Sequence, residues 1–228
     1  MDSTLLTALA LIPALVLAIV FHEVAHGWTA LMLGDPTAKE QRRLTLNPIR
    51  HVDPIGTLVI PGALALAGAP VFGWARPVPV NKWRLRNPRF GMMAVAAAGP
   101  ATNLVMAGLG SVALGLTSRW VGGAPTGALG FAVASLYSFI LINIFLALFN
   151  LLPIPPFDGS HVVEGLLPRA ALPAYDKLRP LGFPLLVLVI VVIPWLFPNL
   201  RLIQWLILPP AQWVEGQYMA LAHWAAGG

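Results

Sequence analysis

The sequence predicts an all-α polytopic membrane protein, with about four full transmembrane helices, a re-entrant segment and a short extended or hairpin element. Three observations lead there. First, 57% of the 228 residues are hydrophobic and only 10% are charged, with a mean hydropathy of +0.77. A soluble domain carries about 25% charged residues to solvate its surface, so a water-soluble enzyme and a disordered chain are both excluded. Second, the chain is a series of long stretches without Lys, Arg, Asp or Glu. Third, its basic residues gather at a few places between those stretches.

Taken in order, Ser3 to Gly34 holds one charged residue, Glu23, and the runs Pro54–Ala75, Phe90–Ser118, Val121–Phe157 and Pro180–Leu200 hold none. A helix of about 20 apolar residues crosses a bilayer. The first run opens with Asp2 and lacks a cationic start, so it does not read as a cleaved signal peptide. Pro54–Ala75 is broken by Pro61 and Pro70 and by Gly56, Gly62, Gly68 and Gly73, which suits a segment that dips in and returns. The other four runs read as full crossings. Residues 1–228 form one membrane domain, with a motif-bearing core at about 4–165 and a C-terminal span and tail at 180–228. In the tail, Trp213, Tyr218 and Trp224 flank His223 as an interfacial anchor.

Orientation follows from the basic residues. Lys39, Arg42, Arg43 and Arg50 follow the first run; Arg76, Lys82, Arg84, Arg86 and Arg89 follow the second; Arg169, Lys177 and Arg179 follow the fourth. Only Arg119 and Arg201 lie elsewhere. With 54–75 re-entrant, twelve of the fourteen Lys and Arg share one side, which is expected to be the cytoplasm at the cell membrane. The net charge of +5 comes from too few charges to imply a nucleic-acid partner. The lipid bilayer is the partner the composition demands.

The chemistry concentrates in His22-Glu23-Val24-Ala25-His26. Histidines at i and i+4 share one helix face, with the glutamate near enough to serve a bound water. With five His and four Glu in the chain, chance supplies this pattern on the order of once in 500 such compositions. An ionisable residue deep in a bilayer costs about 2.5–3.5 kcal/mol on insertion scales, and three within five residues multiply that cost. A divalent metal offsets it. There is no cysteine, so the remaining ligands are His, Asp or Glu. Asp158 is the expected third ligand: it ends an uncharged run, in Asn150-Leu-Leu-Pro-Ile-Pro-Pro-Phe-Asp-Gly159, where Pro153, Pro155 and Pro156 interrupt helix. Capping of the next helix is the plainer use of that aspartate. Topology favours ligation, because the first helix and the run into Asp158 both travel toward the same side.

These residues resemble the site-2 proteases, zinc metalloproteases that cut within membranes. The resemblance rests on His22–His26, on Asn150–Gly159, and on Gly99-Pro-Ala-Thr-Asn103 between them. It implies Zn2+ held by His22, His26 and Asp158, with Glu23 as catalytic base and Asn103 and Asn150 lining the site. It also implies a transmembrane protein as substrate. Relatives often carry PDZ or CBS domains; no soluble segment here is long enough for either, so a compact form is expected. The leucine common before the family's Asp-Gly is Phe157 here.

Several finer expectations follow. Asn103 or Asn150 donates to a developing oxyanion, or else bonds between helices. His161, three residues after Asp158, takes a supporting or gating role. Gly73-Trp-Ala-Arg-Pro-Val-Pro-Val-Asn81 is extended, with Pro77 and Pro79 blocking one edge. It pairs either with an unwound substrate or with Leu44-Thr45-Leu46 in a hairpin. The rival function is a membrane metal transporter using the same His and Asp residues.

Overall fold

In hydrocarbon every backbone polar group needs an internal partner, which a helix supplies along its own length. The apolar runs fold accordingly. The computed structural model describes residues 3–66, 74–121, 125–197, 200 and 208–228. Helix α1 spans Ser3–Met32, α2 Pro88–Val121 and α3 Gly127–Asn150. Among the described residues these three are long and apolar enough to cross a membrane. Helices α4 (Asp158–Leu166), α5 (Arg179–Val187) and α6 (Leu208–Ala225) follow. The expected C-terminal crossing begins in α5 and continues as a π-helical stretch, Leu188–Val192, and a last turn, Ile193–Leu196.

The three long helices run antiparallel in sequence order. His26 meets Val95 while Ala18 meets Asn103, and Asn103 meets Asn143 while Gly110 faces Ile140. Helix α1 stops at Gly34, whose φ of 106° favours a residue without Cβ. The Asp35 N–H donates to Ala30 O at 2.9 Å and the Gly34 N–H to Leu31 O at 3.1 Å, a closure that satisfies the last carbonyls. Helix α2 starts with Pro88, and Asn87 Oδ1 accepts from the Phe90 N–H at 3.2 Å. Arg86 N–H donates to Leu33 O at 3.0 Å, so the connection between α1 and α2 leaves and returns at one end of the bundle.

Of the two pairings open to that connection, the internal hairpin does not form. No strand forms among the described residues, and Leu44–Leu46 does not pair with Trp74–Val80. Pro77 and Pro79 carry no N–H, and the remaining donors find other acceptors. Arg76 N–H goes to His51 O at 2.9 Å, Val78 N–H to Glu23 Oε2 at 2.7 Å, and Asn81 N–H to Asp35 Oδ2 at 2.6 Å. The segment is therefore a strap tied to α1 by carboxylates. Before it, Asp53 accepts from Ile55 and Gly56 N–H at the start of a π-helical Pro54–Val59, which runs into a short helix, Ile60–Leu66. The rest of the expected re-entrant run, residues 67–73, and Arg201 lie outside the described residues.

The C-terminal tail also differs from a surface anchor. Helix α6 lies along α2 in parallel and touches α3, with Tyr218 donating to Leu104 O at 2.8 Å and Tyr137 to Glu215 Oε1 at 2.5 Å. Trp213 and Trp224 remain exposed. Glycine allows the approach, as small residues do between membrane helices: a Cβ at Gly115 would overlap the Ala222 carbonyl and lie 2.8 Å from Ala225 Cβ. Gly115→Val should undock α6 and destabilise the protein by about 1–3 kcal/mol, read as a lower Tm and faster proteolysis within Leu208–Ala225.

Candidate metal centre

Helical spacing sets His22 and His26 on one face of α1, and both are buried at 7% and 8% exposure. Their Nε2 atoms lie 3.0 Å apart. Asp158 Oδ2 lies 3.1 Å from His22 Nε2 and 3.3 Å from His26 Nε2. A carboxylate 132 and 136 positions away in the chain thus meets the two histidines at one point, and Asp158 Oδ2 is buried without a conventional hydrogen-bond partner.

The outer ring nitrogens explain why that point suits a cation. His26 Nδ1 lies 2.7 Å from Val95 O, and a carbonyl only accepts, so this nitrogen carries the proton. His22 Nδ1 lies 2.6 Å from Asn103 Oδ1, again an acceptor. In the neutral imidazoles both Nε2 atoms then present lone pairs toward each other and toward a carboxylate. Such a cluster needs added protons or a divalent cation to be stable in an apolar surrounding. The donor set of two imidazoles and one carboxylate is of the kind that holds catalytic zinc and leaves a further position open, so these residues fit that ion. Gly99 makes room for the rings: a Cβ there would lie 2.5 Å from His26 Nε2 and 2.6 Å from His22 Cε1.

Asp158 reaches the centre because α4 starts there. The cap position falls to Phe157, and the Asp158 side chain turns to the histidines. A Cβ at Gly159 would overlap Leu151 O and lie 2.5 Å from Leu152 O, so glycine lets α4 begin against the end of α3. Tyr175 donates to Pro153 O at 2.9 Å and to Ser160 O at 3.1 Å, clamping the proline-rich turn. Arg89 of α2 donates to the carbonyls of Glu164, Gly165 and Leu167 and so closes the far end of α4.

The remaining expected site residues are placed as follows. Glu23 is partly exposed and receives the Val78 N–H. Asn103 is fully buried, and both its amide hydrogens are used, on Ala18 O at 3.1 Å and Asn143 Oδ1 at 2.8 Å. No donor remains for an oxyanion, so of its two readings the helix-to-helix one holds, and the residue bears on His22. Asn150 is half-buried and spends one amide hydrogen on Leu146 O at 2.9 Å, keeping a second. His161 stands apart from the three converging groups: its Nδ1 lies 3.2 Å from Glu164 Oε2, and Arg179 binds the same carboxylate.

Two residues that hold the site together were not singled out by sequence. Asp35 is fully buried and gathers the N–H groups of Thr37 and Asn81. Arg43 is buried, donates to Arg76 O at 2.7 Å, and has its basicity lowered by burial first and by neighbouring Arg76 second. Both lie among charges that read as topology signals, and only their burial sets them apart.

An apolar helical bundle with two imidazoles and a carboxylate converging beside a glutamate belongs to the class of membrane metallopeptidases. Comparison with known proteins narrows the class. Residues 119–193, which include Asn150 and Asp158, match Peptidase family M50. The chain is 40% identical over 188 residues to "Putative zinc metalloprotease YwhC" of Bacillus subtilis (strain 168), covering 80% of this chain and 82% of that one. It is 29% identical over 193 residues to "Putative zinc metalloprotease Rip2" of Mycolicibacterium smegmatis, covering 83% and 69%. The Rip2 of Mycobacterium tuberculosis (strain ATCC 25618 / H37Rv) is 30% identical over 149 residues, covering 63% and 51%. No solved structure matches. This chain belongs to Peptidase family M50, the site-2 protease family. It is a zinc metallopeptidase and a multi-pass membrane protein.

Gly99→Ala should weaken zinc binding by about 10–100-fold, the range seen when groups supporting metal ligands are disturbed. Metal analysis after dialysis against a chelator checks this, with helical content by circular dichroism unchanged.

Proposed function

We propose that the protein is an intramembrane endopeptidase that hydrolyses peptide bonds within transmembrane segments of other membrane proteins. The observation that carries the reading is the convergence of His22, His26 and Asp158 within 3.3 Å of one another, with Glu23 on the next residue of the same helix. Zinc held by these three residues supplies Lewis acidity and an acidified water at neutral pH. Glu23 takes the proton of the attacking water and delivers it to the leaving amine. Its Oε2 is held by the Val78 N–H, which orients the carboxylate from the side of the strap. The spare N–H of Asn150 is available to the developing oxyanion.

A substrate helix keeps its carbonyls bonded internally and must unwind before attack. The strap Trp74–Asn81 lies against the catalytic glutamate. Pro77 and Pro79 have no N–H and the Val78 N–H is taken by Glu23, so an unwound substrate strand running beside the strap pairs by donating its own N–H groups to strap carbonyls. The site faces the cytoplasm in this reading. Basic residues flank the end of α1, the start of α2 and the stretch after α4, which share one end of the bundle, while Arg119 closes the other end of α2. The connection between α1 and α2 makes no net crossing, in keeping with a re-entrant 54–75. With the C-terminal stretch from α5 as a fourth crossing, residues 1–228 act as one domain. A metal transporter built on the same ligands would leave Glu23 without a task.

Glu23→Gln separates these functions. The amide still accepts from Val78 but cannot take a proton, so zinc content should stay at the wild-type level. Cleavage of a reconstituted transmembrane substrate should fall by about 10²–10⁴-fold. Zinc flux into vesicles that survives the substitution, with no cleavage by either the wild type or the variant, would argue for the carrier.

Asn150→Ala supplies a second check. If its amide serves the oxyanion, kcat should drop by about 10²–10³-fold, while zinc content and Tm hold. A loss of zinc or of the fold would give Asn150 a structural role.

A further inference from the structure

We propose that Asn143 is a positioning residue that sets which nitrogen of His22 is free to bind the metal. It rests on His22 being a zinc ligand and extends that reading two residues outward. Asn143 is fully buried in the middle of α3, touches neither the cluster nor the strap, and is a polar amide at bilayer depth that the peptidase mechanism does not otherwise use. An unused buried amide is costly among apolar helices.

The argument is one of hydrogen-bond direction, started by two groups that can only accept. Asn143 Nδ2 donates to Phe139 O at 2.8 Å. This turns Asn143 Oδ1 toward α2, where it accepts from Asn103 Nδ2 at 2.8 Å. Asn103 Nδ2 also donates to Ala18 O at 3.1 Å. With its nitrogen committed twice, Asn103 must present Oδ1 to His22 Nδ1, 2.6 Å away. An oxygen there requires the proton on Nδ1, and the lone pair falls on Nε2, the atom that faces His26 and Asp158. If the Asn103 amide turned over, its N–H would face His22 Nδ1 and its oxygen would face two acceptors. The imidazole would then carry its proton on Nε2 and lose its ligand lone pair. Asn143 closes off that alternative, since Ala18 O alone holds only one of the two amide hydrogens. His26 needs no such relay because Val95 O dictates its proton directly.

Zinc affinity of the purified protein in detergent, measured by competition with a chromophoric chelator, tests the relay without reference to turnover. Asn143→Leu keeps the volume and favours an apolar core, yet should weaken zinc by about tenfold, at the lower end of what disturbed ligand partners cost. Asn143→Asp, which among apolar helices is held as the neutral acid, donates its O–H to Phe139 O and still accepts the Asn103 N–H, so it should bind zinc like the wild type. In an Asn103→Leu background, Asn143→Leu should have no further effect, because the relay is already cut. In the metal-free wild type, nitrogen NMR of His22 should find a proton on Nδ1, a readout that needs no variant to fold. Wild-type affinity in a folded Asn143→Leu, equal loss in a folded Asn143→Asp, additive losses in the double variant, or a bare Nδ1 in the wild type would each overturn the proposal. A His22→Ala variant that keeps full zinc affinity would instead remove the ligand reading beneath it.

Discussion

The centre depends on where protons are prevented from sitting. Val95 O and Asn103 Oδ1 draw the imidazole protons outward, and Asp158 brings an oxygen that lacks a partner of its own. Lone pairs from two distant parts of the chain are thereby pointed into one volume with low local dielectric, where mutual repulsion is strong and water cannot relieve it. A doubly charged ion turns that liability into binding energy.

Close approach of backbones makes the arrangement reachable. Between membrane helices there is little hydrophobic driving force, so packing and hydrogen bonds decide association. Gly99 admits the two imidazoles to the flank of α2, and Gly159 admits the first turn of α4 to the end of α3. Gly115 does the same for α6 on the opposite end of α2. At Gly159 and Gly115 a single methyl group would meet carbonyl oxygens of the main chain, and at Gly99 it would meet the imidazoles themselves.

The connection between α1 and α2 links topology to chemistry. Its prolines remove the donors that would have built a ladder, and the donors that survive are absorbed by Glu23 and Asp35, both carried by or just beyond α1. The carboxylate proposed as the catalytic base, Glu23, is therefore tied to a segment that enters and leaves at the basic end of the bundle. Arg43, drawn beneath that strap by the Arg76 carbonyl, shows that part of the basic cluster is structural as well as topological.

Much of this was legible from residue order because a bilayer restricts the alternatives. Long apolar runs have helices as their solution, and His-Glu-x-x-His on such a helix is too costly to keep without a metal. The Asp-Gly after three prolines marked the partner, though whether Asp158 would cap or ligate had to await the first turn of α4, where its side chain turns to the histidines. What residue order did not hold was hydrogen-bond direction between helices. Asn103 could not be assigned to substrate or to His22 until both of its amide hydrogens were accounted for, and Asn143, seven residues before Asn150, carries a signal too faint to separate from ordinary helix packing. Which of its two pairings the strap would take, and that α6 would pack along α2, could not be read locally for the same reason: local pattern specifies which donors a segment lacks, while the acceptors that its remaining donors find belong to elements far away in the chain.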